Sequence, residues 1–328
     1  MRKIMSNIGD QISFRPDIKV VDCTVRDGGL VNNFYFEDEF VKHLYHTNID
    51  AGVDYMEFGY KSSKEIFDIN KFGKWKFCDE SSIREIVGDN DSNLKISVMA
   101  DVGRTDYIKD IIKKEDSVID MIRVATYINT IPAAVEMVNY CAQMGYETCV
   151  NVMAISTSSE SDIDIALELL GQSKVDVIYL VDSYGSLYPE QAEKFADQYL
   201  RVAEKYNKKV GIHAHNNQQL AFANTIEVAR MGVSYLDVTM SSLGRGAGNC
   251  PMELIMGFLK NPKYKLQSVI AFIESDIMKL KEQGLVWGYD IPYMLTGCLN
   301  QHPRTAIQFI SEKKVDYGNF YQTLLDLE

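Results

Sequence analysis

Eight short apolar runs rich in Val, Ile and Tyr recur along the chain, at 18–23, 53–58, 94–99, 119–124, 147–152, 175–181, 209–213 and 234–239. Amphipathic stretches such as 131–145, 158–172 and 189–207 lie between them, at a spacing of very roughly 30 residues that is the rhythm of repeated strand–helix units. Val177-Ile178-Tyr179-Leu180-Val181 is apolar at every position, as a parallel strand buried on both faces must be. Eight such units close most simply into an α/β fold, the (β/α)8 TIM barrel. An open doubly wound sheet uses the same pattern, and the count favours the barrel. In a barrel the chemistry sits at the carboxyl ends of the strands. Those ends are polar almost throughout: Arg26 and Asp27, Glu57, Asp101, Arg123 and Thr126, Asn151, Asp182 and Ser183, His213 and His215, Ser241 and Ser242.

The repeat stops after Lys260. The 328 residues therefore divide into an N-terminal tail or short hairpin at 1–17, a barrel at 18–260 and a small helical C-terminal extension at 261–328. Helical character is predicted at 266–283 and 303–312. Between them, Trp287-Gly288-Tyr289-Asp290-Ile291-Pro292-Tyr293 is too irregular for a helix and is expected to loop over the barrel mouth. A composition 46% apolar and 24% charged, without low-complexity tracts, is that of an ordinary globular chain. The net charge of −12 argues against a nucleic-acid partner, which needs a basic face, but leaves small anions open, since one Arg or a metal outweighs the global sign locally. No apolar run approaches the roughly 18 residues of a membrane span, and Met1-Arg2-Lys3-Ile4-Met5-Ser6 lacks the apolar stretch of a signal peptide. A cytoplasmic protein with no membrane partner is expected. The six cysteines form neither a disulfide framework nor a Cys-x-x-Cys pair, and Cys23 and Cys149 read as small buried strand residues.

Two distant segments carry the chemistry. His213 and His215 are two apart at a strand end, so their side chains point to the same side, and for an inward pair that side is the lumen. Neutral imidazoles are good metal ligands, and Asp27, at the end of the first strand, becomes their lumen neighbour once the barrel closes. The blander alternative is two histidines in structural hydrogen bonds. Arg26 precedes Asp27, and Gly28-Gly29 would permit a tight backbone that aims both side chains at one point. A guanidinium there holds a carboxylate and stabilises an enolate oxygen, although an Arg-Asp pair taken alone is usually a surface salt bridge. The loop Ser242-Leu243-Gly244-Arg245-Gly246-Ala247-Gly248-Asn249 reads either as a phosphate loop or as a tight turn bringing the Asn249 amide to the metal.

With these residues assembled, the sequence resembles the DRE-TIM metallolyases (HMGL-like), over roughly residues 18–260. The carriers are Asp22-Cys23-Thr24-Val25-Arg26-Asp27-Gly28, similar to that family's D-x-T-x-R-D-G, then His213-Ala214-His215-Asn216 and Gly244 to Asn249. Arg123-Val124-Ala125-Thr126, Asp182-Ser183 and Gly246 to Glu253 resemble most the branch of 4-hydroxy-2-oxovalerate aldolases. The resemblance implies Asp27, His213 and His215, with Asn249, around a divalent cation, Mn2+ ahead of Mg2+, Co2+ or Zn2+. It further implies Arg26 as enolate stabiliser and Arg123, Thr126 and Ser183 as substrate contacts. Gly288-Tyr289 resembles a segment that supplies an active-site tyrosine.

One position departs from that pattern. Three residues after Asp27, where those aldolases carry a catalytic histidine, stands Leu30, which moves no proton. A base must then come from elsewhere: a water on the metal, His302, Tyr289 or Tyr293. His302, in Asn300-Gln301-His302-Pro303, reads equally as a capping or surface histidine, and His43 and His46 are expected on an exposed helix face. The expected reaction is metal-dependent cleavage or formation of a 4-hydroxy-2-oxo acid through a pyruvate enolate. Its rivals are an acyl-CoA Claisen synthase or lyase of the same superfamily, an oxygenase built on the two histidines and a carboxylate, and an altered barrel serving as a binding subunit. The expected partners are a small 2-oxo acid substrate, an aldehyde dehydrogenase of the kind such aldolases work beside, and a second copy of the chain in a homodimer.

Overall fold

The computed structural model describes residues 14–327, so the expected N-terminal tail lies outside the described residues up to Ser13. Eight parallel strands form one closed barrel in chain order: β1 (Lys19–Asp22), β2 (Tyr55–Tyr60), β3 (Lys95–Asp101), β4 (Met121–Thr126), β5 (Glu147–Val152), β6 (Val177–Asp182), β7 (Lys209–Ala214) and β8 (Tyr235–Val238). The seam is the pairing of β1 with β8, where Val21 stands opposite Asp237. This is the (β/α)8 barrel that the eight apolar runs predict, with each strand within a few residues of its run. Among the described residues, no helix is long and apolar enough to cross a membrane.

Alternation along the strands sorts two cores. Outward residues such as Val20, Met56, Ile122 and Ile178 pack under the helices, while Val21, Cys23, Tyr55, Met121, Cys149, Val177, Tyr179 and Tyr235 fill the lumen. Cys23 and Cys149 are buried free thiols there. Gly211 makes room for Tyr179: a Cβ on it would lie 2.5 Å from that ring. At the amino end of the barrel the Tyr55 and Tyr235 hydroxyls donate to Glu147, which closes that end with satisfied polar groups.

Residues 24–32 differ from the sequence reading. They form not a tight loop but a helix, Thr24–Asn32, that starts directly after β1. Glycine inside a helix costs about 1 kcal/mol relative to alanine. Here the space is needed, because a Cβ on Gly29 would sit 2.1 Å from the Phe34 ring and one on Gly28 2.8 Å from Leu243. Close packing, not turn geometry, accounts for both glycines.

Past Lys260 the chain is helical. Residues 266–282 run as one helical stretch with a π-turn at Ile273–Ile277, and Arg304–Ser311 follows as predicted. Two helices go beyond the sequence reading, Ile291–Cys298 and Tyr317–Leu325. The segment read as irregular ends at Asp290, whose carboxylate caps the first of them, and Pro292 sits in its first turn, where a missing N–H costs nothing. Trp287 Nε1 donates to Ser241 O (2.9 Å), so this segment lies against the loop after β8. Ala306, Phe309, Phe320 and Leu324 form a small apolar cluster distinct from the barrel cores.

Candidate active site

A cavity of about 260 Å3 opens at the carboxyl ends of the strands. Its lining includes Arg26, Asp27, Leu30, Tyr60, Asp101, Thr126, Ser183, His213, His215, Arg245 and His302. On its floor three ligand-type side chains converge: one ligand atom each from Asp27, His213 and His215 all lie within 4.8 Å of one another. Asp27 Oδ2 is 3.4 Å from His213 Nε2 and 4.0 Å from His215 Nε2. Its other oxygen, Oδ1, accepts the backbone N–H of Arg245 (3.0 Å), which fixes the direction of the carboxylate.

A buried chain of alternating charge orients these groups. Arg26 Nη1 contacts Asp27 Oδ2 at 2.5 Å, and Arg26 Nε donates to Glu57 Oε2 at 2.7 Å. Glu57 also accepts from Arg123 Nη1 (2.9 Å), and Arg123 Nη2 reaches Asp237 Oδ2 (2.5 Å). Asp237 closes the chain by accepting from His213 Nδ1 (3.0 Å), which turns Nε2 of that ring toward Asp27. Three carboxylates thus face two guanidinium groups, and the network is one positive charge short of neutral before the imidazoles are considered. Burial raises the Asp27 carboxyl, but Arg26 and the two imidazoles outweigh it and hold the group well below the usual carboxylate range. Burial, with Arg245 and His213 beside it, keeps His215 neutral with its pKa far below the usual imidazole value, against the pull of Asp27. For His213, burial and Arg26 push downward, while Asp237 and Asp27 prevail and raise it.

The residues present fit a divalent cation. One carboxylate and two imidazoles are a common transition-metal donor set, and the missing positive charge is of the right sign. A fourth donor stands beside them: the fully buried Asn249 amide lies 3.1 Å from His213 Nε2, and its Oδ1 has no hydrogen-bond partner. Gly244 leaves room for it, since a Cβ there would come within 1.8 Å of Asn249 Oδ1 and 2.7 Å of Asp27 Oδ1. Ser241 and Ser242, both at positive φ, bend the loop into this position.

The other expected site residues divide. Thr126 and Ser183 line the cavity, and the Ser183 Oγ accepts from Ala154 N (2.8 Å), leaving its own O–H to point elsewhere. Arg123 does not line it: the side chain is fully buried one layer deeper, with its guanidinium 4.5 Å from the Tyr179 ring centre. An ion-paired floor residue replaces the expected substrate contact. Tyr289 is 56% exposed and outside the cavity lining. His302 reaches the cavity, yet both ring nitrogens face donors, Nε2 toward Arg245 Nη1 and Nδ1 toward Arg304 N, each at 3.1 Å. A neutral imidazole has one lone-pair nitrogen, so only one of these two contacts is a hydrogen bond; burial, with Arg245 and Arg304 beside the ring, lowers its pKa to about 4. His43 and His46 are exposed, as the sequence predicts.

Arg245 is the residue that sequence reasoning passed over. It brings a guanidinium to the cavity beside those of Arg26 and Arg104, donating to Ser183 O (2.7 Å) and lying 3.4 Å from His215 Nε2. It stands in a segment read for its glycines and for Asn249, where a lone cation gives no signal.

A closed (β/α)8 barrel with a polar cavity at the carboxyl ends of its strands is the architecture of an enzyme. The chain belongs to the HMGL-like family, whose model matches residues 17–280. It is 25% identical over 254 residues to a 4-hydroxy-2-oxovalerate aldolase of Bacillus cereus, an alignment covering 77% of this chain and 72% of that one. An oxaloacetate decarboxylase of Mycobacterium tuberculosis is 27% identical over 244 residues, covering 74% and 69% of the two chains. Among solved structures, the N-terminal domain of a candidate aldolase from Bacteroides vulgatus superposes with a TM-score of 0.76 at 26% identity, covering 90% of this chain and 97% of that one. By family and relatives the protein is a carbon–carbon lyase.

Proposed function

We propose that the protein cleaves, or in reverse forms, a 4-hydroxy-2-oxo acid through a pyruvate enolate, with a divalent cation held by Asp27, His213 and His215 and with Asn249 as fourth donor. The observation that carries this reading is the convergence of one carboxylate oxygen and two imidazole nitrogens beside a buried guanidinium on the cavity floor. When bound, the cation would supply Lewis acidity to the carbonyl of a 2-oxo acid. Arg26 is fixed on both sides by Asp27 and Glu57, so its charge is already in place where the enolate oxygen develops. Thr126 and Ser183 offer hydroxyls from β4 and β6 to the substrate carboxylate. Arg245 adds positive charge on the same side.

A second reading uses the same site: decarboxylation of oxaloacetate, which yields the same enolate and has no hydroxyl proton to remove. The M. tuberculosis relative and the apolar Leu30 on the cavity wall favour it. Pyruvate release, measured with a 4-hydroxy-2-oxo acid and with oxaloacetate after loading with Mn2+, tests the first reading. Cleavage of the hydroxy acid supports it, and turnover of oxaloacetate alone replaces it by the second.

The fourth donor is tested separately. Gly244→Ala should displace the Asn249 amide and weaken cation affinity about 10–100-fold, read by calorimetric titration of the chelated protein. Unchanged affinity would remove Asn249 from the donor set.

A further inference from the structure

On the wall formed by the ends of β2 and β3, Tyr60 and Asp101 line the same cavity as Leu30. Among the lining residues Asp101 is the one carboxyl group besides Asp27. Its situation differs from that of the buried carboxylates at this end of the barrel. Asp22, Glu57, Asp182 and Asp237 each accept at least one hydrogen bond at normal distance, although Glu57 Oε1 and Asp237 Oδ1 are also enclosed without a partner. Asp101 Oδ1 is enclosed without a partner, and Oδ2 has only Arg104 Nη1 at 3.9 Å, beyond hydrogen-bond reach. The side chain is 14% exposed, and of its two oxygens only Oδ1 is enclosed. An unsatisfied buried acceptor costs about 1–3 kcal/mol, and a carboxyl group kept in that state is ready to take up a proton.

The surroundings sharpen that readiness. Leu30, Met99 and Val102 give the neighbourhood apolar walls. Behind Tyr60 the Lys76 ammonium is enclosed by aromatic rings, 4.5 Å from the Tyr60 centre and 4.2 Å from that of Phe67, and makes no ion pair within 4.0 Å among the described residues. Burial raises the Asp101 pKa above its ordinary value, with Lys76, Arg104 and Arg26 opposing. A base poised in this way is suited to proton transfer near neutral pH.

We propose that Asp101 accepts the proton of the C4 hydroxyl of the substrate, whose aldehyde-forming half therefore lies against β2 and β3, opposite the histidines. This deepens, and rests on, the reading of the site as a 4-hydroxy-2-oxo acid lyase. The O–H bond breaks toward the Asp101 carboxylate, and its electron pair becomes the C4=O bond. The C3–C4 bond breaks, and its pair forms the C2=C3 bond while the keto oxygen takes the enolate charge beside Arg26. The enolate then takes a proton at C3, and release of the proton held on Asp101 completes the balance with no further reactant.

The test is Asp101→Asn in the cation-loaded protein, assayed on two substrates. Cleavage of the 4-hydroxy-2-oxo acid should fall about 100-fold or more, while oxaloacetate decarboxylation, which forms the same enolate without a hydroxyl proton, should stay at the rate of the unsubstituted protein. That second activity also reports that the variant is folded and holds its cation. Retained cleavage would overturn the assignment, and an equal fall in both activities would show a merely structural carboxylate. Should the unsubstituted protein decarboxylate oxaloacetate yet leave the hydroxy acid intact, the reading as a 4-hydroxy-2-oxo acid lyase itself fails, and Asp101 loses the proton assigned to it.

Discussion

Asp27→Asn should cost the protein both its tightly held cation and about a thousandfold of its kcat/KM. Asp27 is the single carboxylate of the proposed donor set, and it carries two tasks at once. Its Oδ2 faces both imidazoles and Arg26, while Oδ1 takes the Arg245 backbone N–H. An amide keeps the shape but removes the negative charge, leaving Arg26 with one carboxylate instead of two and weakening the attraction for a dication. Loss of metal-ion charge stabilisation is worth several kcal/mol of barrier, which corresponds to about three powers of ten. Metal content after gel filtration and pyruvate release before and after chelation give the two readouts. Full activity after exhaustive chelation, in either the variant or the parent, would end the metal-dependent reading.

The second large effect is on stability. Arg123→Met should destabilise the fold by about 3–5 kcal/mol, because it leaves Glu57 and Asp237 charged in a fully buried layer. Arg123 touches both carboxylates and lies on the Tyr179 ring, and methionine replaces the stem but none of the charge. The pH dependence has a definite sign. Burial raises the Asp237 carboxyl, yet Arg123 and His213 bring it down to about 2. A depressed carboxyl contributes stability that is present above its unfolded value and lost as pH falls through the folded one. Without Arg123 that loss should move to higher pH. Urea unfolding midpoints of parent and variant between neutral and acidic pH measure both, and coincident curves would show that the floor network does not hold the barrel.

Much of this site is legible in the sequence because it obeys local rules. His213 and His215 share a face by strand alternation, and Asp27 must stand near them once eight strands close. What escaped depends on depth and on neighbours. Arg123 points into the lumen as its strand parity requires, but parity does not say which layer of the lumen it occupies, and it lies beneath the substrate layer. Asp101 shows in the sequence only as one polar strand end among many. Its lack of partners depends on what other segments bring to the cavity wall, where Tyr60 and Leu30 also stand. Gly28 and Gly29 read as a turn because helix propensity counts against them, whereas the contacts with Leu243 and Phe34 that require them are long-range or lie beyond the helix end. Of the neighbours of His302, the Arg304 amide and Arg245, the second comes from a segment that its own sequence context does not reveal.

The small apolar cluster of Ala306, Phe309, Phe320 and Leu324 has a consequence for how occupancy of the cavity is felt elsewhere. Its polar links to the barrel include Asn300 Nδ2 to Ser156 O (3.0 Å), Ser186 Oγ to Asn300 Oδ1 (2.8 Å), Gln218 Nε2 to Gly297 O (3.5 Å), and the contact of His302 with Arg245. So small a cluster opens more readily than the barrel. Because Arg245 stands with one hand on the cavity and the other on this annex, a 2-oxo acid that immobilises its guanidinium should slow amide hydrogen exchange across 304–325 while strands β1 to β8, already closed, exchange as before. The terminal helices would then serve as a remote gauge of a filled site.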